Sequence, residues 1–370
     1  MSDAEGDTES DAGPTTLPAP TAPGVVELDP SLDRALIANL GDAGRNNDAA
    51  LSENTRRSYE TGWRQYCAWC RPRYLTPLTE HPEQIATFLA SLVPSGDAAA
   101  RKKLSTVKLR LAALKHFFRE AGQGLDWKHP AIRNQLKGLA RNNPVLVRQE
   151  PVQALGIEDL TTIVAAIDTT WLRGLRDRAL ILVGYAGALR RSELVAIDAD
   201  HLQAVDGGYE IWLGTTKTDE GDRDNVCVIA ETGTSLCPVR AVNDWMERAG
   251  VSEGPVFRAF DPLGGLKHTA LTAQSVRLIL KERAGEVGLD VRSTYRGGKT
   301  ITAPIRWGGH SLRRGMATAV AEATDGDVTA VQRAGRWKTP VTALRYVEET
   351  RRVDRSASAL VMGGKRKTSD

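Results

Sequence analysis

Six residues in the second half of the chain have types and spacings suited to work on a phosphate. Gly309-His310-Ser311-Leu312-Arg313 puts His310 and Arg313 three apart at a helix start, and so on one face. A helix N-terminus adds exposed N–H groups and a field that favours an anion. The pair therefore reads as a phosphate clamp, although a capped surface helix would carry the same residues. Arg190 directly follows the most apolar run of the chain. A desolvated guanidinium must find an anion, and Glu193 three residues on offers a purely structural one. Arg191 beside it fits a structural or surface cation better still. Lys217 sits at the tip of a polar turn, 216–224. A lysine there is ordinarily just solvated, yet its ammonium is also a compact proton donor on a flexible arm. Trp337 offers one N–H donor and a broad apolar face. Tyr346 follows nine residues later, where a tyrosine is most often core or surface filler.

Several elements must position these residues. Apolar spacings of 3 and 4 predict four helices at about 53–70 (Tyr59, Trp63, Tyr66, Cys70), from Pro82 to Pro94 (Ile85, Phe88, Leu89, Leu92), at 105–121 (Leu111, Leu114, Phe118) and from Pro130 (Ile132, Leu136, Leu139). No β pattern interrupts them. A polar, basic linker follows at about 142–153. Beyond it helices are expected at 157–167 and 172–186, then strands near 209–215 and 225–229, then helices near 239–248 and 272–287. A long loop is expected over 290–309, carrying Arg292, Arg296, Lys299 and Arg306. Short helices at 311–323, 328–334 and 340–348 close the domain. The first residues, 1–28, are too polar to offset their ordering entropy and read as disordered, with one short helix after Asp29-Pro30.

Composition narrows the function. The chain has 370 residues and a formal net charge of +3. That small value hides a segregation: residues 1–51 carry a net −8, residues 52–150 a net +9 and the remainder +2. An acidic head before a basic module suggests a polyanion partner. Lys108, Lys115 and Arg119 lie near one another at helical spacing, and Arg101, Lys102 and Lys103 precede them. These six are candidate phosphate contacts, with a solvated helix face as the alternative. The longest apolar run, 179–189, has eleven residues, well below the roughly 20 needed to span a bilayer, so no membrane association is expected. The acidic N-terminus lacks the pattern of a secretory signal. Four cysteines form no disulfide framework, and a reducing cytoplasm fits. Cys67-x-x-Cys70 could be half a zinc site, but it falls within an apolar helical pattern with no second pair nearby, so core packing is the better reading.

Taken in order, Arg190, Lys217, His310-x-x-Arg313, Trp337 and Tyr346 resemble the signature of the tyrosine recombinases, or phage integrase family. Arg190-x-x-Glu193 after an apolar helix, the Thr216-Lys217-Thr218 turn, Cys237-Pro238-Val239-Arg240 opening a helix, and the nine-residue step to Tyr346 all match. Trp rather than His at 337 looks most like the Cre-like phage recombinases, although Arg336 stands where glycine is commoner. The resemblance covers about residues 52–363. It implies a mainly α fold with a small antiparallel β-sheet: an acidic tail (1–51), an all-helical core-binding domain (52–143), a linker (144–152), an α+β catalytic domain (153–349) and a C-terminal tail (350–370) that docks on a neighbouring protomer.

The activity so implied is site-specific DNA recombination, with integrase chemistry as its basis. Tyr346 attacks a phosphodiester to give a 3′-phosphotyrosine, Arg190 and Arg313 clamp the phosphate, Lys217 acts as general acid, His310 either donates a hydrogen bond to the phosphate or accepts the phenol proton, Trp337 holds a phosphate oxygen, and Glu193 supports Arg190. Neither cofactor nor metal is required. The implied partners are double-stranded DNA with inverted-repeat sites and three further copies of the chain, a homotetramer on DNA assembled from free monomers, located in the cytoplasm at the nucleoid. Similar chemistry would serve a type IB topoisomerase-like strand passer, and a DNA-binding protein without catalysis is the third reading.

Overall fold

A computed structural model describes residues 51–97, 99–147, 152–214, 225–296 and 299–350. The chain divides into two compact units, one ending at Glu150 and one beginning at Pro151. The expected helix after Pro30, Lys217 with its turn, and the C-terminal tail lie outside the described residues.

The first unit is all helical. α1 (Glu53–Cys70) opens on Ser52, whose side chain accepts the Thr55 N–H. α2 (Pro82–Ser91), α3 (Leu104–Glu120) and α4 (Pro130–Asn142) follow. A four-residue turn, α5 (Pro144–Val147), occupies the start of the expected linker. Tyr66, Ile85, Phe88, Leu89, Leu114 and Phe118 meet in one core. Each such burial contributes about 1.5–3 kcal/mol. Trp63 stacks on Phe117 at 5.0 Å, and Arg110 Nε of α3 donates to Gln65 Oε1 of α1 at 2.8 Å. Cys67 and Cys70 are buried in this core, and burial pushes the Cys67 thiol up to about 11.

The second unit is built around α7 (Leu172–Ala186), preceded by α6 (Ile157–Ala166). After the short α8 (Arg191–Val195), an antiparallel sheet of order β1-β2-β3 forms from Leu202–Val205, Gly208–Trp212 and Val226–Ala230. Its inward residues Ile211, Cys227 and Ile229 join the core on α7 and on α9 (Pro238–Ala249). Two hairpins were not expected: β4 (Arg258–Phe260) with β5 (Leu266–Ala270), and β6 (Val291–Arg296) with β7 (Lys299–Pro304). The second of these corrects the expected loop at 290–309. Its Thr- and Val-containing runs on either side of Gly297-Gly298 pair in continuous register from Val291↔Pro304 to Arg296↔Lys299. Between the hairpins lies α10 (Ala273–Glu286). α11 (Ser311–Ala323), α12 (Val328–Ala334) and α13 (Pro340–Thr350) share a small separate core of Ala317, Ala321, Val331, Ala343, Tyr346 and Val347. No helix among the described residues is long and apolar enough to cross a membrane.

α7 is buried nearly all round, so its polar residues must find partners inside. Asp177 accepts from Arg176 at 2.6 Å and from Arg283 of α10 at 2.7 Å, while Arg176 also donates to the Arg258 carbonyl of β4 at 3.3 Å. This network fastens three elements of the unit. Removing the shared carboxylate leaves the buried Arg176 guanidinium without a counter-charge, while Arg283 keeps Glu286 at 2.7 Å, so Asp177→Ala is expected to cost about 3–5 kcal/mol in urea-induced unfolding. A loss below about 1 kcal/mol would contradict this role.

Candidate active site

The site begins where α7 stops. Ala188 takes a left-handed backbone (φ 44), and the Ala188 and Leu189 N–H groups close back onto the carbonyls of Tyr185 and Gly184. That turn delivers Arg190 to the N-terminal edge of α8. Glu193, in the first turn of α8, folds back and accepts the Arg190 backbone N–H at 2.7 Å. This is the N-terminal capping that a glutamate at the third position makes. Its other oxygen accepts from Arg190 Nη1. The Arg190 side chain stays 37 % exposed, whereas Glu193 is buried.

A second segment supplies His310 and Arg313. Gly308 N–H donates to the Ser311 hydroxyl at 3.0 Å, and the Leu155 N–H holds the Ser311 carbonyl at 3.1 Å, which fixes the start of α11. Gly309 is required sterically, because a Cβ there would overlap the Arg191 side-chain stem. Although three apart, His310 and Arg313 do not sit at one depth: His310 is exposed and Arg313 is 1 % exposed. Arg313 Nη1 donates to the Ala188 carbonyl at 2.8 Å and Nη2 to the Gly335 carbonyl. Arg313 thus joins the α7–α8 turn to the α12–α13 turn. A guanidinium has five N–H groups, and these two bonds leave three. Burial, then Arg190 and Arg336, pull its pKa down to about 10, so it remains charged at neutral pH.

The third segment carries Trp337 and Tyr346. The Trp337 ring lies over Gly335, where any Cβ would collide with it. It stacks on Tyr346 with centroids 5.0 Å apart and planes 18° apart, and the Arg313 guanidinium sits 5.2 Å from the Trp337 centroid. Tyr346 is 6 % exposed. Burial, reinforced by Glu349, raises its pKa despite the opposing Arg314 and Arg313.

Three residues that sequence reasoning left out belong here. Arg336 donates to Glu193 Oε2 at 3.0 Å and to the Gly187 carbonyl. Arg314 lies 5.5 Å from the Tyr346 ring centroid and pairs with Glu349 at 2.8 Å, one turn beyond Tyr346. The Arg313-Arg314 doublet and the three-residue step from Tyr346 to Glu349 were visible signals, but their meeting is tertiary. Burial disfavours the Glu193 charge, yet the Arg190 N–H and the Arg336 and Arg190 guanidinium groups prevail and hold it below the usual carboxylate range. Arg190, Arg313 and Arg336 therefore face one carboxylate, an excess of positive charge suited to an oxyanion. Metal-ligating types do not cluster here. Among the described residues, Asp198, Asp200 and His201 alone form such a group, at the turn before β1.

Residues 154–352 match the phage integrase family, and residues 46–123 match the phage integrase N-terminal SAM-like domain. The chain belongs to the phage integrase family of tyrosine recombinases. It is 31 % identical over 314 residues to an integrase/recombinase xerD homolog of Selenomonas ruminantium, covering 83 % of this chain and 85 % of that one. It is 26 % identical to the tyrosine recombinase XerD of Listeria monocytogenes serotype 4b (strain F2365), over 77 % and 84 % of the two chains. Among solved structures, a lambda integrase dimer bound to a COC′ core site matches at 16 % identity and TM-score 0.49, covering 86 % of this chain and 92 % of that one. The protein is accordingly a DNA breaking-and-rejoining enzyme, a site-specific recombinase.

In the helical unit of this recombinase, Lys102, Lys103, Lys108, Lys115 and Arg119 are exposed. Lys115 leans over Trp127 at 5.9 Å, and Arg119 approaches His116 Nδ1 at 3.3 Å. Arg101 differs: its Nε and Nη2 donate to the carbonyls of Pro94 and Ser95 at 2.9 and 2.7 Å. It braces its own loop, and so is not the freely offered cation that its place in a basic run suggested. Arg133, Lys137 and Arg141 form a further exposed row on α4, at i, i+4 and i+8.

Partial desolvation and then the charges of Arg313, Arg314, Arg190 and Arg191 lower the pKa of His310. The folded protein thus disfavours the imidazolium, and the charge is lost on raising the pH through a midpoint below the ordinary value of about 6.5. NMR titration of the His310 ring should show that depressed midpoint; one at or above about 6.5 would contradict the cationic setting.

Proposed function

We propose that this recombinase cuts duplex DNA by attack of Tyr346 on a backbone phosphate and reseals it from the resulting 3′-phosphotyrosine. The observation that carries the reading is the meeting of three separate segments: Arg190 and Arg313 share one buried carboxylate, Arg313 lies over the Trp337 ring, and Trp337 stacks on Tyr346. Attack by a phenol builds negative charge on a pentacoordinate phosphorus, and cations fixed beforehand where that charge develops lower the barrier. Arg190 and Arg313 donate to the non-bridging oxygens. A neutral His310 is able to accept the phenol proton, which fits a phenol whose pKa is raised. Trp337 packs the nucleophile's ring. Lys217 protonates the departing 5′ oxygen. The phosphotyrosine preserves the bond energy, so resealing needs neither ATP nor a metal.

The sequence supports further features of the assembly. The net +9 of residues 52–150 favours phosphate contacts by Lys102, Lys103, Lys108, Lys115 and Arg119. Val353, Ala357, Leu360 and Val361 repeat at helical spacing beyond Tyr346, consistent with docking of that apolar stripe on a neighbouring protomer in a tetramer on two inverted-repeat sites. Trp337 favours kinship with the Cre-like phage recombinases, and a cytoplasmic, nucleoid-associated location accompanies this activity.

The test is covalent capture on a nicked suicide duplex containing an inverted repeat taken from DNA flanking the gene. Wild type should form an adduct stable to denaturation, and Tyr346→Phe should form none. An adduct that persists in Tyr346→Phe refutes this nucleophile, and wild type that never forms one refutes the reading. Relaxation of supercoiled plasmid lacking any such site would favour a topoisomerase-like activity.

A further inference from the structure

Arg336 has no part in the chemistry above, yet its backbone is held in a costly shape. Its φ is +47, in the left-handed region that disfavours side chains beyond glycine. Such a conformation persists where the surroundings over-determine it. Here the side chain is tied at both ends of its fork. Nη1 donates to the Gly187 carbonyl, and Nη2 donates to Glu193 Oε2 at 3.0 Å. Gly187 and Glu193 flank the turn that presents Arg190 and whose Ala188 carbonyl holds Arg313. Arg336 itself lies between Gly335, whose carbonyl holds Arg313, and Trp337, which stacks on Tyr346. One guanidinium therefore spans the two turns from which the phosphate clamp and the nucleophile's support project.

The arrangement on Glu193 is also unequal. Oε1 takes Arg190 Nη1, while Oε2 takes the Arg190 backbone N–H and Arg336 Nη2, with Arg313 Nη1 at 3.9 Å. With Arg336 on Oε2, the Arg190 fork meets the carboxylate through one nitrogen, which leaves its Nε and Nη2 outside the pair. Without Arg336, Oε2 would keep the Arg190 backbone N–H but regain an open acceptor site, which would invite a bidentate Arg190–Glu193 pair, the strongest geometry open to those groups. That pair would turn the clamp away from an incoming phosphate.

We propose that Arg336 is a positioning residue of this recombinase. It occupies half of Glu193 so that Arg190 keeps donors for the scissile phosphate, and it locks the Trp337 turn to the Arg190 turn. This inference rests on the reading of Tyr346, Arg190 and Arg313 given under Proposed function.

The experiment compares wild type, Arg336→Gly and Arg336→Lys in single-turnover adduct formation on the suicide duplex at saturating protein. The Kd for the same duplex and the thermal midpoint are measured alongside. Glycine relieves the left-handed backbone, which favours a folded variant. The adduct rate of Arg336→Gly should fall on the order of tenfold or more with Kd within about threefold of wild type, and Arg336→Lys should recover part of the rate because it keeps the charge but not the fork.

The pH profile gives a readout that a merely structural role would not move. The groups facing Glu193 are Arg190, Arg313, Arg336 and the Cys227 thiol of β3. Losing Arg336 removes a charge that keeps Glu193 ionised, so the acid limb of adduct formation should move to higher pH. A wild-type rate in Arg336→Gly overturns the inference, as does a loss confined to Kd or an unmoved acid limb. If the glycine variant does not fold, Arg336→Lys decides by the same criteria: a wild-type rate and profile overturn the inference, and a slowed rate at unchanged Kd supports it. Wild type without an adduct would instead overturn the Tyr346 reading, and this inference with it.

Discussion

The catalytic half of the molecule depends on one buried carboxylate. Glu193 is nearly sealed from water, and an isolated charge at that depth would be prohibitively costly. It is ionised because Arg190, Arg313 and Arg336 surround it. The reverse dependence holds as well: three guanidinium groups so close together would repel one another without it. Because Glu193 also caps α8 through the Arg190 N–H, the same carboxylate sets both the helix start and the electrostatics. A fixed cluster with more positive than negative charge is then in place before a phosphate arrives, which is the preorganisation that phosphoryl transfer needs.

Arg313 extends that centre outward. Its two carbonyl bonds, to Ala188 and Gly335, hold turns that lie 125 and 22 residues away in sequence. The strained φ of Ala188 and of Arg336 both occur at these turns. Strain of this kind costs on the order of 1–3 kcal/mol per residue and is tolerated where the surroundings enforce it. Here the enforcing contacts are the ones that aim Arg190, Arg313 and Trp337. The small core of α11, α12 and α13 then places Tyr346 against Trp337, with Arg314 and Glu349 closing the far side.

Much of this was legible in the chain. α1, α7, α11 and α12 follow the apolar periodicity residue for residue, since each buries one defined stripe or, for α7, every side. Arg190, His310, Arg313, Trp337 and Tyr346 were legible as an ordered set. What escaped was what only tertiary contact creates. Arg336 looked like a departure from a small residue, and its bridge to Gly187 and Glu193 spans nearly 150 positions. Arg101 looked like one of a basic run until its donors closed onto Pro94 and Ser95. The β6–β7 hairpin escaped because its alternation mixes Thr, Arg and Tyr with few apolar residues, so the period-two signal was weak.

Neutralising Glu193 without changing its shape is the most direct test of the account. In Glu193→Gln the amide still reaches the Arg190 N–H, but three guanidinium groups lose their shared counter-charge. If that charge organises the site, adduct formation on the suicide duplex should slow on the order of a hundredfold with duplex affinity nearly unchanged, a loss of about 3 kcal/mol in the chemical step. A Glu193→Gln protein that cleaves within about twofold of wild type would contradict it.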